Sequence, residues 1–268
     1  MNCKQTLLVT IFSVFSLTQT KAQVWEVGAQ AGGAGYIGDL NPTNPLAISG
    51  ISFGGFLRAN FDPNWALSFN YYMGKIKAED SKSSNEQFRQ RNLSFSNTIQ
   101  EFSFMVDFNF FDYFSGGGYS RFSPYLYTGV GAVLFNPKTT YKGTTYKLAM
   151  YDTEGYDYKT YALSIPFGFG LKYNIKNNWT VFTNIGYRNA YTDYLDDVSE
   201  NYIDPEKYAA DANTRRTQIL LSDRSNEVLG YNVGGKNIQR GDFRKRDAYM
   251  FVGIGITYTF VSQKCFNF

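Results

Sequence analysis

The sequence predicts an all-β protein, an eight-stranded antiparallel transmembrane β-barrel with long extracellular loops. Three observations predict it. Apolar and polar residues alternate with period two in segment after segment. The segments number eight, near 24–34, 50–61, 65–76, 98–110, 124–135, 161–175, 179–189 and 247–260. The links between them alternate between short and long.

The alternation is plainest from Trp65. Trp65, Leu67, Phe69, Tyr71 and Met73 fall on one face, and Ala66, Ser68, Asn70, Tyr72 and Gly74 on the other. Ile51, Phe53, Leu57 and Phe61 oppose Ser52, Phe56, Arg58 and Asn60. Phe102, Phe104, Val106 and Phe108 oppose Glu101, Ser103, Met105 and Asp107. Leu163, Phe167, Phe169 and Leu171 oppose Ser164, Gly168, Gly170 and Lys172, and Tyr187 stands beside Arg188. A soluble sandwich would bury the bulky face against a second sheet, whereas a membrane barrel turns it to lipid. Charge decides between inward and outward. A Lys or Arg facing hydrocarbon at mid-depth costs about 2–4 kcal/mol. Arg58, Glu101, Asp107, Lys172 and Arg188 are therefore expected in the lumen, where they can pair.

The segments run ~10–15 residues, long for a soluble sheet and suited to a tilted membrane strand. Asp62-Pro63-Asn64 and Lys176-Asn177-Asn178 are the tightest links, and each is followed by a tryptophan. Trp65 and Trp179 are the expected anchors of an interfacial aromatic girdle. The 111–123 link, with Gly116-Gly117-Gly118, reads as a flexible turn. The links 35–49, 77–97, 136–160 and 190–246 are the expected surface loops. The last is too long for a passive hairpin and is expected to fold over itself or over the barrel mouth, with a short helix through 206–212.

Composition agrees. The 268 residues include 22 Tyr, 24 Phe and 25 Gly, a mix suited to twisted strands with a packed lumen. Mean hydropathy is −0.33, as alternating strands allow. The formal charge is +3, and the one basic run, Arg244-Lys245-Arg246, reads as a solvated loop foot rather than a nucleic-acid site. Residues 1–22 read as a secretory signal peptide: Lys4, then an apolar core at 7–17 too short to span a bilayer, then Thr20-Lys21-Ala22. Residues 23–268 are the barrel domain. Cys3 leaves with the signal, so Cys265 is the one cysteine of the processed chain. Beyond the last strand, on the periplasmic side, it is a candidate for an intermolecular disulfide or a free thiol.

Three stretches carry a family resemblance: YIGDLNP at 36–42, YTDYLDDVS at 191–199 with Asp204-Pro205 after it, and DAYMFVGIGI at 247–256. With them the chain resembles a Bacteroidota family of outer-membrane barrels that includes PorG of the type IX secretion system. The resemblance implies residence in the cell outer membrane among its lipids and, for a PorG role, association with the periplasmic ring proteins PorK and PorN.

The residues argue against an enzyme. There is no His, which removes His-based triads and His metal sites. Gly116-Gly117-Gly118 lacks the Lys and helix of a phosphate loop. Ser164 and Asp107 are expected as lumen residues that pair with neighbours, not as catalytic groups. Asp193, Asp196, Asp197 and Asp204 are of the type that binds Ca²⁺, but their spacing does not match an EF-hand loop. Turn-forming and capping roles are expected for them, with no cofactor and no resident metal. Eight strands leave a lumen too narrow for a protein, so a structural role in secretion is expected. The alternative is a barrel that binds a surface partner or small solute.

Overall fold

The computed structural model describes residues 24–113, 120–176, 178–242 and 244–260. The signal segment, Cys265 and the three glycines at 116–118 lie outside the described residues. Among the described residues ten strands form: β1 (Val24–Ile37), β2 (Ile48–Asn60), β3 (Trp65–Glu79), β4 (Ser94–Asn109), β5 (Phe122–Leu134), β6 (Lys138–Tyr141), β7 (Thr144–Lys147), β8 (Tyr161–Lys176), β9 (Trp179–Ala190) and β10 (Ala248–Phe260). Eight of them run β3-β2-β1-β10-β9-β8-β5-β4, and β3 pairs with β4 to close the barrel. Every neighbouring pair is antiparallel. Closure leaves no unpaired strand edge, the condition for a sheet to cross a membrane.

The expected faces are the observed ones. Phe104 is 56% exposed and Leu163 67%, while Glu101 is 0% and Ser164 1%. Bulky side chains meet across neighbouring strands on the outside: Trp65 with Phe108, Phe69 with Phe104 and Tyr71 with Phe102, at centroid separations of 4.8, 5.0 and 4.8 Å. A closed barrel has no second layer to cover such a belt, so its solvent is hydrocarbon. No helix among the described residues is long and apolar enough to cross a membrane.

The turns lie at one end of the barrel and the long loops at the other. In the first turn Asp62 Oδ1 accepts the backbone N–H groups of Asn64 and Trp65, both at 2.8 Å, which aims Trp65 outward. Trp179 packs edge-on against Tyr258 at 5.0 Å. Trp25, the third tryptophan, is exposed at the same end, where it pairs with Ala59 and Phe260. Thus all 3 tryptophans ring the turn side.

The surface loops hold more structure than their sequences announce. Residues 136–160, expected as loop, begin with the β6–β7 hairpin, whose Lys142-Gly143 turn has both φ positive (47° and 82°). A short helix, α1 (Glu86–Arg91), lies between β3 and β4. The helix expected at 206–212 is displaced. Pro205–Lys207 makes one 3₁₀ turn under an Asp204 cap, and the helix proper is α2 (Ala212–Ser222). Asp211 caps it by accepting the Thr214 N–H at 2.8 Å. A further turn, α3 (Asn226–Leu229), ends at Gly230 with φ 79°.

Candidate functional site

The lumen is filled by a matched set of charges. Arg58 Nη1 lies 2.9 Å from Glu26 Oε2, and its Nε 2.8 Å from Asp107 Oδ2. Lys172 Nζ lies 3.6 Å from the same Asp107 oxygen and donates to Asn109 Oδ1 at 2.8 Å. Farther up, Arg188 Nε lies 3.3 Å from Glu101 Oε2, which also accepts the Tyr249 hydroxyl at 2.6 Å. Three acids meet three bases, all buried. Sequence reasoning named five of the six. Glu26 was missed, although Val24, Glu26, Gly28 and Gln30 alternate onto one face. Asp107, considered beside Ser164 from sequence, is held by Arg58 and Lys172.

A second cluster sits at the extracellular rim, where four loops are tied into a cap. Arg91 grips both oxygens of Asp80, with Nε at 2.7 Å and Nη2 at 2.8 Å. It also donates to the carbonyls of Asp39 and Arg240, at 3.1 and 2.5 Å. Arg240 donates through Nη1 to Glu154 Oε1 at 2.9 Å and to the Asp197 carbonyl at 2.5 Å, and through Nε to the Ser222 carbonyl at 3.1 Å. The stretch 193–198 crosses the mouth beneath these links. Leu195 donates its N–H to Asp247 Oδ2 at 2.9 Å and accepts from Asn97 of β4 at 2.7 Å. Tyr36 of β1 donates its hydroxyl to Asp196 Oδ2.

The three sequence stretches quoted above thus meet in one place. Asp39 from the first, Asp193 from the second and Asp247 from the third each offer a carboxylate oxygen, all within 4.8 Å of one another and all buried. Gly38 is required beside them, because a Cβ there would overlap Asp247 Oδ1 and the Tyr36 hydroxyl. Burial and mutual repulsion favour the protonated acids. Asp39 is pushed up to about 7, first by burial, then by Asp242 and Asp193, against the pull of the Asp242 N–H and Arg91. Asp193 is pushed up to about 6 by burial, with a Ser199 hydroxyl bond opposing. Burial, then neighbouring aspartates, holds Asp196 and Asp247 well above the usual carboxylate range.

Of the four aspartates considered from sequence, only Asp193 joins this trio. Asp196 is occupied by Tyr36 and the Val198 N–H, and Asp197 by Thr153, Tyr158 and Arg240. Asp204 caps its 3₁₀ turn and pairs with Lys236 at 2.8 Å. Asp39 and Asp247 were not singled out. Register could have found them: Ile37 pairs with Ala248, which places the residues just beyond both strand ends side by side.

A closed eight-stranded barrel with an apolar belt, short turns at one end and capped loops at the other defines an outer-membrane β-barrel. A family described as a domain of unknown function, DUF6089, matches residues 5–210, and the chain belongs to it. No curated protein matches. Solved structures similar to the chain include OprG from Pseudomonas aeruginosa (10% identity, TM-score 0.42, covering 90% of this chain and 98% of that one). Ail of Yersinia pestis in complex with sucrose octasulfate (11%, 0.40, 89% and 99%) and Neisserial surface protein A (12%, 0.37, 89% and 96%) are also similar.

Proposed function

We propose that the chain is a non-enzymatic outer-membrane anchor, a structural component of the type IX protein secretion system that associates with its periplasmic ring. The lumen supports this reading best. Six buried charges pair across it, and eight strands leave no room for a polypeptide. Such a barrel works through its surfaces. The secretion role and the partners PorK and PorN come from the resemblance carried by 36–42, 191–199 and 247–256, the stretches that converge at the rim. The turn at 61–64 and the end of β10 lie at the end of the barrel opposite the extracellular loops, where a periplasmic ring would meet them.

Two measurements test the reading. A tagged chain purified from solubilised outer membranes recovers PorK and PorN, and deletion abolishes export of type IX cargo. Normal export without the chain would end the proposal. Cys265 is proposed as a covalent tie to such a partner. A Cys265→Ser chain with the same non-reducing electrophoretic mobility as wild type would remove that tie.

A second reading, a barrel that binds a surface partner, is favoured by one observation: arginines sew the four extracellular loops into an ordered platform. Recovery of a surface ligand without ring proteins would select it.

A further inference from the structure

We propose that Asp39, Asp193 and Asp247 form a binding site for a hard divalent cation of the Ca²⁺ class, which locks the extracellular cap onto the barrel mouth. The inference rests on the rim geometry alone and is independent of any role in secretion.

The donor set selects the ion. Three carboxylates with no nitrogen or sulfur suit Ca²⁺ and not a softer metal. Oxygens bound to one Ca²⁺ at about 2.3–2.6 Å can lie no more than about 5 Å apart. The three aspartates meet that limit.

Free valences separate this trio from the other acids nearby. Asp193 gives Oδ2 to the Ser199 hydroxyl at 2.8 Å, and Asp247 gives Oδ2 to the Leu195 N–H. Their Oδ1 atoms are buried with no hydrogen-bond partner, in residues only 8% and 1% exposed. A buried carboxylate oxygen left unpaired is costly unless something binds it. The neighbouring cations are already committed. Arg91 is held by Asp80, Arg240 by Glu154 and Asp197, and Arg244 by Asp242 at 2.8 Å. Among the described residues no side chain forms an ion pair with the trio, and Arg91, which pulls on Asp39, is itself tied to Asp80.

The consequence is mechanical. Asp39 follows β1, Asp247 precedes β10 and Asp193 belongs to the stretch that crosses the mouth. One ion at their meeting point would tie that stretch to the seam between the first and last strands.

Isothermal titration of the refolded, detergent-solubilised chain with CaCl₂, after treatment with a chelator, tests the site. The folded state is checked by its heat-modifiable electrophoretic mobility. One Ca²⁺ per chain is expected, with at least tenfold weaker binding in Asp193→Asn and in Asp247→Asn. Asp204→Asn, which alters a half-buried cap outside the trio, is expected to bind as wild type does. Calcium should also slow proteolysis within 191–247, and a chelator should restore it. Absence of binding by the folded wild-type chain at millimolar Ca²⁺ overturns the proposal. Unchanged affinity in either folded trio variant does so too. Should a variant fail to fold, the wild-type stoichiometry and the calcium effect on proteolysis decide.

Discussion

Arg240 donates to Glu154 at 2.9 Å and so joins the last extracellular loop to the third. The same guanidinium faces Asp197, and both carboxylates are buried. Removing one partner of a buried pair leaves an uncompensated charge, at a cost of about 3–5 kcal/mol. Arg240→Met is therefore expected to loosen the cap while the strands stay paired. Limited proteolysis should cut sooner within 191–247, and the folded barrel should keep its heat-modifiable mobility. Unchanged cleavage would show that the arginine is not a clasp.

The lumen makes a sharper demand. Arg58 stands between Glu26 and Asp107, so Arg58→Met strands the buried Glu26 and leaves Asp107 with Lys172 alone. A loss of about 3–5 kcal/mol is expected in urea unfolding of the reconstituted barrel. Adding Glu26→Gln should recover much of it, because a neutral amide escapes the charge penalty while Lys172 still balances Asp107. A single variant as stable as wild type would mean that the lumen is wet enough to solvate the acids. Planar bilayers carrying the wild-type chain are expected to show no discrete conductance steps.

Much of this architecture is legible in the sequence. Period-two alternation fixes which residues share a face, and the cost of a charge in lipid fixes which face turns inward. Arg58, Glu101, Asp107, Lys172 and Arg188 follow from those two facts alone. The rim was harder. Asp39, Asp193 and Asp247 are far apart in sequence and meet only through barrel closure. Local signals also compete. Asp204-Pro205 opens only a single 3₁₀ turn, and the longer helix begins after an Asp211 cap that the helix expected at 206–212 did not use. The β6–β7 hairpin hides in a Thr-rich stretch whose one cue is Lys142-Gly143.

Asp197 gives the cap a pH dependence. Burial pushes it up to about 6, with Arg240 and the hydroxyls of Thr153 and Tyr158 pulling it down and Glu154 pushing it up. The folded cap thus holds a proton between about pH 4 and 6 that the opened loop releases, so this residue's contribution to cap stability falls as pH rises through that window. Hydrogen exchange of cap amides, corrected for intrinsic rates and measured in chelator, should show protection declining from pH 5 to pH 7. Asp197→Asn should flatten the decline, and asparagine tolerates the φ of 73° found there. An equal slope in both chains would assign the effect elsewhere.

The tryptophans fix how deep the barrel sits. Trp25, Trp65 and Trp179 are 43%, 48% and 47% exposed, all at the turn end. Indole prefers the boundary between headgroups and hydrocarbon, where its ring meets apolar chains and its N–H stays near water. Fluorescence of the chain in lipid vesicles should therefore be quenched more by bromines near the glycerol backbone than by bromines at the chain ends. Replacing Trp25 and Trp179 with Phe leaves Trp65 as the single reporter, and the same depth order is expected for it. Stronger quenching from the bilayer centre would move the girdle inward and shorten the periplasmic reach of the turns. Quenching by aqueous iodide alone would take this end of the barrel out of the membrane.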